Sequence, residues 1–304
     1  MEIGFVGLGK MGANMVKRLL LGGHSVVVTD RSADAVTASV KEGASGAGDI
    51  AGLVAILRTP RTVWVMVPSG APTESVVAEL GKLLSKGDLV VDGGNSNFKD
   101  SERRAAMLGE KGIFFVDAGT SGGIWGLTVG YCLMCGGETE AIDRLAPALT
   151  TLAPKDGWLH TGPAGSGHYV KMVHNGIEYA MMQAYAEGFE LFVASGFGLD
   201  NAKIASLWTK GSVVRSWLLE LAADALKKNP SFDGIAPYVE DSGEGRWTVI
   251  ESIEKAVPTP TITAALKMRF RSRQESSYGA RFLNALRNEF GGHTVVRSVP
   301  KGGA

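Results

Sequence analysis

Cysteine is scarce in this chain: two thiols, Cys132 and Cys135, in 304 residues. A disulfide-built scaffold is therefore excluded, and the CxxC spacing in YCLMC has no second thiol pair to complete a zinc site. The surrounding VGYCLMC is strand-like, and strand positions three apart face opposite ways. Both cysteines are expected to be buried structural thiols, not a redox pair. Excess charge is missing too: 31 basic residues balance 31 acidic ones, leaving no global field for nucleic acid or a membrane surface. No uncharged apolar run reaches about 18 residues. The best stretch, 177–199, carries Glu178, Glu187 and Glu190. No cluster of His, Asp and Glu has metal-ligand spacing, so no metal is expected. Met1-Glu2 leads straight into the strand-like IGFVGLG, so no leader is expected and the cytosol is the expected compartment. Beyond Pro163 the strand signals stop.

Glycine, in contrast, is abundant. The 41 glycines are roughly twice the usual share, and they cluster in loops, as in proteins whose backbone approaches ligands closely. The first cluster follows the apolar run 2–6: Gly7-Leu8-Gly9-Lys10-Met11-Gly12, then an amphipathic helix, then the β-branched run HSVVVT ending at Asp30. Strand, glycine turn, helix, strand and acid make up a dinucleotide-binding fingerprint in its required context. Gly7 allows the tight turn, Gly9 lets a pyrophosphate approach backbone amides, and Gly12 permits close helix–strand packing. Strands are expected again at Thr62–Val67, Asp88–Val91, Ile113–Val116, Leu127–Met134 and near Trp158–Leu159, with helices at 98–109 and 138–152 between them. This alternation predicts an α/β Rossmann-type, doubly wound sheet over residues 1–161. The loops GLGKMG, DRS (30–32), VPSG (67–70), DGGNS (92–96) and AGTSGG (118–123) all follow strand ends, where ligands of such sheets bind. Residues 162–304 are expected to form an all-helical substrate and dimerisation domain, with helices near 200–210, 213–228, 246–257, 260–275 and 278–289.

A long helix, about 162–191, should connect the two. Read at 3.6 residues per turn, it places Lys171, His174, Asn175 and Glu178 on one face. The plain reading is a solvated stripe. Against it, Met172, Val173, Ile177, Met181 and Met182 make the flanks apolar, as in a helix buried on most sides. An amine and a carboxyl buried together would suit shared proton chemistry.

The motifs DGGNS, SGG (121–123), KMVHNGIEY (171–179) and RNEFGGH (287–293) resemble the short form of the decarboxylating 6-phosphogluconate dehydrogenases, across nearly the whole chain. The resemblance implies oxidation of a phosphorylated sugar acid at C3, loss of CO2 and protonation of the enediol. It makes Lys171 the base and Glu178 the acid. It assigns substrate contacts to Asn95, Ser121, Gly122, Gly123, His174, Asn175, Tyr179, Arg269, Arg287 and His293. The cofactor is expected against Gly7, Leu8, Gly9, Lys10, Met11, Gly12, Asp30, Arg31, Ser32, Val67, Pro68, Ser69 and Asn95. Three departures stand out. The long form's Lys-Gly-Thr-Gly-Lys-Trp run is here Ser242-Gly243-Glu244-Gly245-Arg246-Trp247, which removes two phosphate contacts. The long form's loop lysine is Pro68. Its Asn-Arg-Thr cofactor loop is Asp30-Arg31-Ser32, where a carboxylate favours ribose hydroxyls and NAD, while Arg31 leaves NADP open. A homodimer or homotetramer is implied, with Arg287 and His293 completing the partner's site. A 3-hydroxyacid dehydrogenase without decarboxylation would have no use for Glu178, and a silent NAD-binding protein would have none for the whole stripe.

Overall fold

The computed structural model describes residues 1–291 and 294–297. Its strands are β1 (Glu2–Val6), β2 (Ser25–Thr29), β3 (Ser45–Gly46), β4 (Thr62–Val65), β5 (Leu89–Asp92), β6 (Phe114–Ser121), β7 (Cys132–Gly137) and β8 (Trp158–Gly162). Between them run α1 (Lys10–Leu21), α2 (Ala33–Lys41), α3 (Ile50–Ile56), α4 (Ala71–Leu83), α5 (Phe98–Gly109), α6 (Gly126–Val129) and α7 (Thr139–Leu152). The remaining helices are α8 (Ser166–Ala194), α9 (Asn201–Trp208), α10 (Trp217–Lys228), α11 (Glu244–Glu254), α12 (Pro260–Ser272) and α13 (Tyr278–Gly291).

The sheet order is β3-β2-β1-β4-β5-β6-β7-β8. Its first six strands carry the 3-2-1-4-5-6 order of dinucleotide-binding sheets. All neighbours are parallel except β6 and β7. Alternation along each strand feeds two core layers. Ile3, Phe5, Val26, Val28, Trp64, Leu89 and Val91 pack with Met15 and Leu19 of α1 and Leu145 and Leu149 of α7. Val27, Val63, Val65 and Val90 pack with Leu53 of α3, Leu80 of α4 and Leu108 of α5. A sheet covered on both faces needs continuous apolar strands, which is why VVV and TVWV stand out in the sequence.

The strand expected over Leu127–Met134 begins later, at Cys132, and runs antiparallel to β6. Residues Gly123–Trp125 and Gly126–Val129 form short helical turns instead. Gly126 lies flat against the Tyr131 ring, and Gly130 turns the chain with φ 93°. The strand preference of the β-branched pair Thr128-Val129 is overridden by that packing.

Two compact units result: Met1–Glu178 with Gly243–Pro258, and Tyr179–Ser242 with Thr259–Ala304. The first unit keeps α11 because the Thr248 hydroxyl donates to the Met172 carbonyl at 2.8 Å, with Gly176 leaving room for the Thr248 side chain. In the second, Ala205 of α9 and Leu219, Ala223 and Leu226 of α10 pack with Tyr185, Phe189 and Trp208. Among the described residues no helix is long and apolar enough to cross a membrane.

Candidate active site

The glycine loop after β1 is shaped by contacts that only glycine tolerates. Gly7 sits at φ 100°, and a methyl group there would strike the Met66 carbonyl; one at Gly12 would strike the Gly7 carbonyl. Gly9 is different: a methyl group there would meet nothing within 4 Å. Open room therefore lies over Gly9, where α1 begins at Lys10 with no side-chain cap. By contrast, α2 is capped by Ser32 and α5 by Asn97. An uncapped helix start beneath open space fits a diphosphate. Asp30, at the end of β2, accepts from the Leu8 amide at 2.6 Å and the Ser32 amide at 2.8 Å. Its carboxylate thereby ties the acid of the fingerprint to the glycine turn, beside the exposed Arg31. On the loop after β4, the Pro68 carbonyl accepts from Thr73 at 2.9 Å, which fixes Val67-Pro68-Ser69 over the start of α4.

The DGGNS loop is held from below. Asp92 is fully buried and accepts from the Gly94 amide (3.0 Å), the Ser96 hydroxyl (2.7 Å) and Arg104 (3.1 Å). Arg104, also buried, donates its Nε to Glu74 at 3.0 Å. The guanidinium groups of Arg103 and Arg104 in turn hold the Glu74 carboxyl down to about 2, with Arg103 the larger influence. Asn95 adopts φ 52°. Its Oδ1 accepts from the Thr120 amide at 2.8 Å and its Nδ2 donates to the Thr120 carbonyl at 3.1 Å. The carboxamide thus acts as an extra strand residue, joining this loop to β6 one residue before Ser121.

Helix α8 is seated on β6 and β7 through glycines. Asp117 of β6 is fully buried and accepts from the Gly165 amide (2.6 Å) and the His168 amide (2.7 Å) at the start of α8. Burial pushes the Asp117 carboxyl up, although the His168 charge and these hydrogen bonds oppose the shift. A methyl group at Gly119 would lie 2.5 Å from Lys171 Cβ, so glycine there sets how closely the lysine approaches the sheet. Lys171 is 5% exposed and has no hydrogen-bond or ion-pair partner among the described residues. Burial lowers its pKa below the usual lysine range, while the charges of Glu178, Glu244 and Cys132 pull the other way. One turn on, His174 Nδ1–H donates to Asn175 Oδ1 at 2.9 Å, leaving Nε2 to accept from the Ser121 hydroxyl at 3.4 Å. Glu178 lies 4.0 Å from His174 Nδ1. The stripe of Lys171, His174, Asn175 and Glu178 therefore lines one face next to Ser121-Gly122-Gly123.

The expectation of a helix buried on most sides is corrected in part. Lys171 and Asn175 are buried, but the Glu178 side chain is 36% exposed, and Ile177, Met181 and Met182 are exposed as well. The expectation of two buried thiols is also corrected: Cys135 is buried and Cys132 is exposed. In the second unit the Arg269 guanidinium stacks 3.4 Å from the Tyr179 ring centroid and donates to the Glu240 carbonyl at 2.7 Å. The Tyr179 hydroxyl accepts from the Ser242 amide at 3.1 Å. Arg287 is exposed on α13, and His293 lies outside the described residues. Asp92 and Gly119 entered the sequence reading only as members of the loops DGGNS and AGTSGG, with no role of their own, and Arg104 and Asp117 were not singled out. The available signal was an acid inside an apolar strand, as in FFVDAG, where burial demands a partner.

Comparison with known proteins decides the family. The model described as the NAD binding domain of 6-phosphogluconate dehydrogenase matches residues 2–162. That described as the 6-phosphogluconate dehydrogenase C-terminal domain matches residues 167–281. The chain belongs to the 6-phosphogluconate dehydrogenase family. Its Haloferax volcanii relative, an NAD(+)-dependent, decarboxylating 6-phosphogluconate dehydrogenase, is 44% identical over 98% of this chain and 99% of its own length. A Bacillus subtilis relative, YqeC, is 44% identical over 98% of this chain and 100% of its own. The solved 6-phosphogluconate dehydrogenase of Plasmodium falciparum superposes with a TM-score of 0.83 at 28% identity, covering 100% of this chain and 67% of that one. These matches span both the Rossmann sheet and the helices that follow it.

Proposed function

We propose that this chain oxidises 6-phosphogluconate at C3 and decarboxylates it to ribulose 5-phosphate and CO2, with NAD preferred over NADP. The observation that carries the reading is Lys171: buried, with a lowered pKa and no partner among the described residues, packed against Gly119 on the same helix face as Asn175 and Glu178. A neutral amine accepts the C3 hydroxyl proton as the hydride leaves. NAD, when bound along the glycine loop, supplies the acceptor for that hydride. Protonated Lys171 then stabilises the C3 oxygen while the C1–C2 bond breaks and CO2 departs. Glu178 gives its proton to the enediol carbon that becomes C1 of the product. His174, Asn175 and the Ser121-Gly122-Gly123 segment hold the hydroxyls and carboxylate. Tyr179 and Arg269, already stacked, are assigned to the phosphate, with Arg287 and His293. A division at 161/162 into a dinucleotide-binding part and a helical substrate and dimerisation part belongs to the same proposal.

A substrate panel tests the reading. Turnover with 6-phosphogluconate should exceed that with gluconate or 3-hydroxyisobutyrate by about a hundredfold in kcat/KM, because a site built for a polar group discriminates strongly against its absence. Equal or better turnover of 3-hydroxyisobutyrate refutes it.

Cofactor choice rests on Asp30. Its carboxylate accepts from the Leu8 and Ser32 amides and still offers lone pairs to ribose hydroxyls, while repelling a 2′-phosphate. Asp30→Asn should shift the NAD/NADP ratio of kcat/KM towards NADP by about tenfold or more. An unchanged ratio removes Asp30 from selection.

Association into a homodimer or homotetramer is part of the proposal, as is a cytosolic location. Leu191, Val193 and Phe197 near the end of α8, and Leu283 on α13, are at least 60% exposed, which is unusual for a lone chain. Light scattering that finds a fully active monomer rules the association out.

A further inference from the structure

The antiparallel pairing of β6 and β7 places Gly136, Met134 and Cys132 directly opposite Asp117, Gly119 and Ser121. Directly opposed residues share a face of the sheet. Helix α8 climbs this same face. Gly167 sits against the Asp117 carbonyl, Lys171 against Gly119, and His174 reaches Ser121. Cys132 therefore stands opposite Ser121 on the face that carries the catalytic lysine, and it is exposed. Cys135, three positions on, faces the other way. It is packed in the core with Leu133 and Tyr131, where burial pushes its thiol up to about 12. A second, independent feature points to this spot. Lys171 is only 5% exposed, has no partner among the described residues, and lies close enough to Cys132 for a charge there to act on its amine.

We propose that Cys132 is a modification site in the wall of the catalytic centre: small electrophiles and hydroperoxides that enter beside Ser121 and Lys171 alkylate or oxidise its sulfur, and turnover stops. The proposal rests on the catalytic reading of Lys171 given above. With iodoacetamide, the sulfur displaces iodide, a C–S bond replaces C–I, and the thiol proton goes to solvent. With a hydroperoxide, the sulfur attacks the terminal oxygen, the O–O bond breaks, and a sulfenic acid and water or an alcohol form; sulfur loses two electrons to the peroxide. Cys135 cannot capture the sulfenic acid, because the two side chains leave opposite faces of β7. The oxidised sulfur stays within reach of an external thiol, so the block is reversible. Either product adds polar bulk where the substrate's carboxylate and hydroxyls must lie.

The test uses the full chain and iodoacetamide. Site occupancy is read by peptide mass and activity is read in parallel, with and without saturating 6-phosphogluconate plus NAD. Cys132 should be labelled and Cys135 spared. Activity should fall in proportion to labelling, and substrate should slow labelling by about tenfold or more. Cys132→Ser should keep most of its own starting activity under the same treatment. Hydrogen peroxide should inactivate the unsubstituted chain, and dithiothreitol should restore it. Complete labelling of Cys132 with turnover retained overturns the inference, as does an unchanged labelling rate with the site full, or preferential labelling of Cys135. An untreated chain that does not turn over 6-phosphogluconate refutes the proposed function instead, and the labelling pattern, read by mass, still decides whether Cys132 is the open thiol.

Discussion

Lys171→Met should lower kcat by about a thousandfold with little change in cofactor binding, since a base acting in the transition state contributes roughly two to four orders of magnitude. Methionine keeps the unbranched shape against Gly119 but cannot accept a proton. The pH behaviour gives a second readout. Burial lowers the Lys171 pKa, so the neutral amine is present at lower pH than for a free lysine, and kcat/KM should rise with pH through that lowered value. Stability follows the same shift. The folded chain holds this proton less tightly than the unfolded chain does. Between the lowered pKa and the ordinary lysine value of 10.5 the unfolded state binds more protons, so the fold gains stability as pH rises through that window. At neutral pH the wild type bears the burden of an amine stripped of water, so Lys171→Met should melt no lower than wild type. Loss of activity together with loss of melting temperature would mean a damaged fold, and near-normal turnover would remove Lys171 from the mechanism.

Glu178→Gln should reduce steady-state turnover by about a hundredfold while sparing the first hydride transfer. Glutamine keeps the size and hydrogen-bonding outline of the acid but has no proton to give. Glu178 is half-covered and 4.0 Å from His174, so it is open enough to exchange protons with solvent between turnovers. A rapid-mixing experiment should show a burst of NADH in the first turnover followed by slow cycling. Equal loss of burst and steady state would place Glu178 in the oxidation step, contrary to its assigned role.

How much of this was legible from residues alone differs by region. β1, β2, β4, β5, β6 and the glycine loop were readable because a sheet covered on both faces writes itself as β-branched runs between turn signals. β3 was not, because two residues, Ser45 and Gly46, carry no periodicity. β7 was misplaced because the fold of residues 123–130 depends on Gly126 meeting the Tyr131 ring, a contact outside any local pattern. The polar stripe on α8 was visible from spacing, but its depth was not. Periodicity shows which face is apolar and is silent on whether this chain covers it, and Ile177 at 50% exposure is the case in point. Asn95 was read as a ligand contact, yet its carboxamide is spent largely on Thr120. Strand geometry correctly sent Cys132 and Cys135 to opposite faces. The sequence could not reveal that the face of Cys132 is the one with Ser121 and Lys171, because register between strands is a non-local property.

The most direct test of the central claim is the ratio of CO2 released to NADH formed, measured with 6-phosphogluconate as substrate. Oxidative decarboxylation through Lys171 and Glu178 predicts one CO2 and one ribulose 5-phosphate for each NADH. NADH formed without CO2 would contradict it and leave a simple hydroxyacid oxidation in its place.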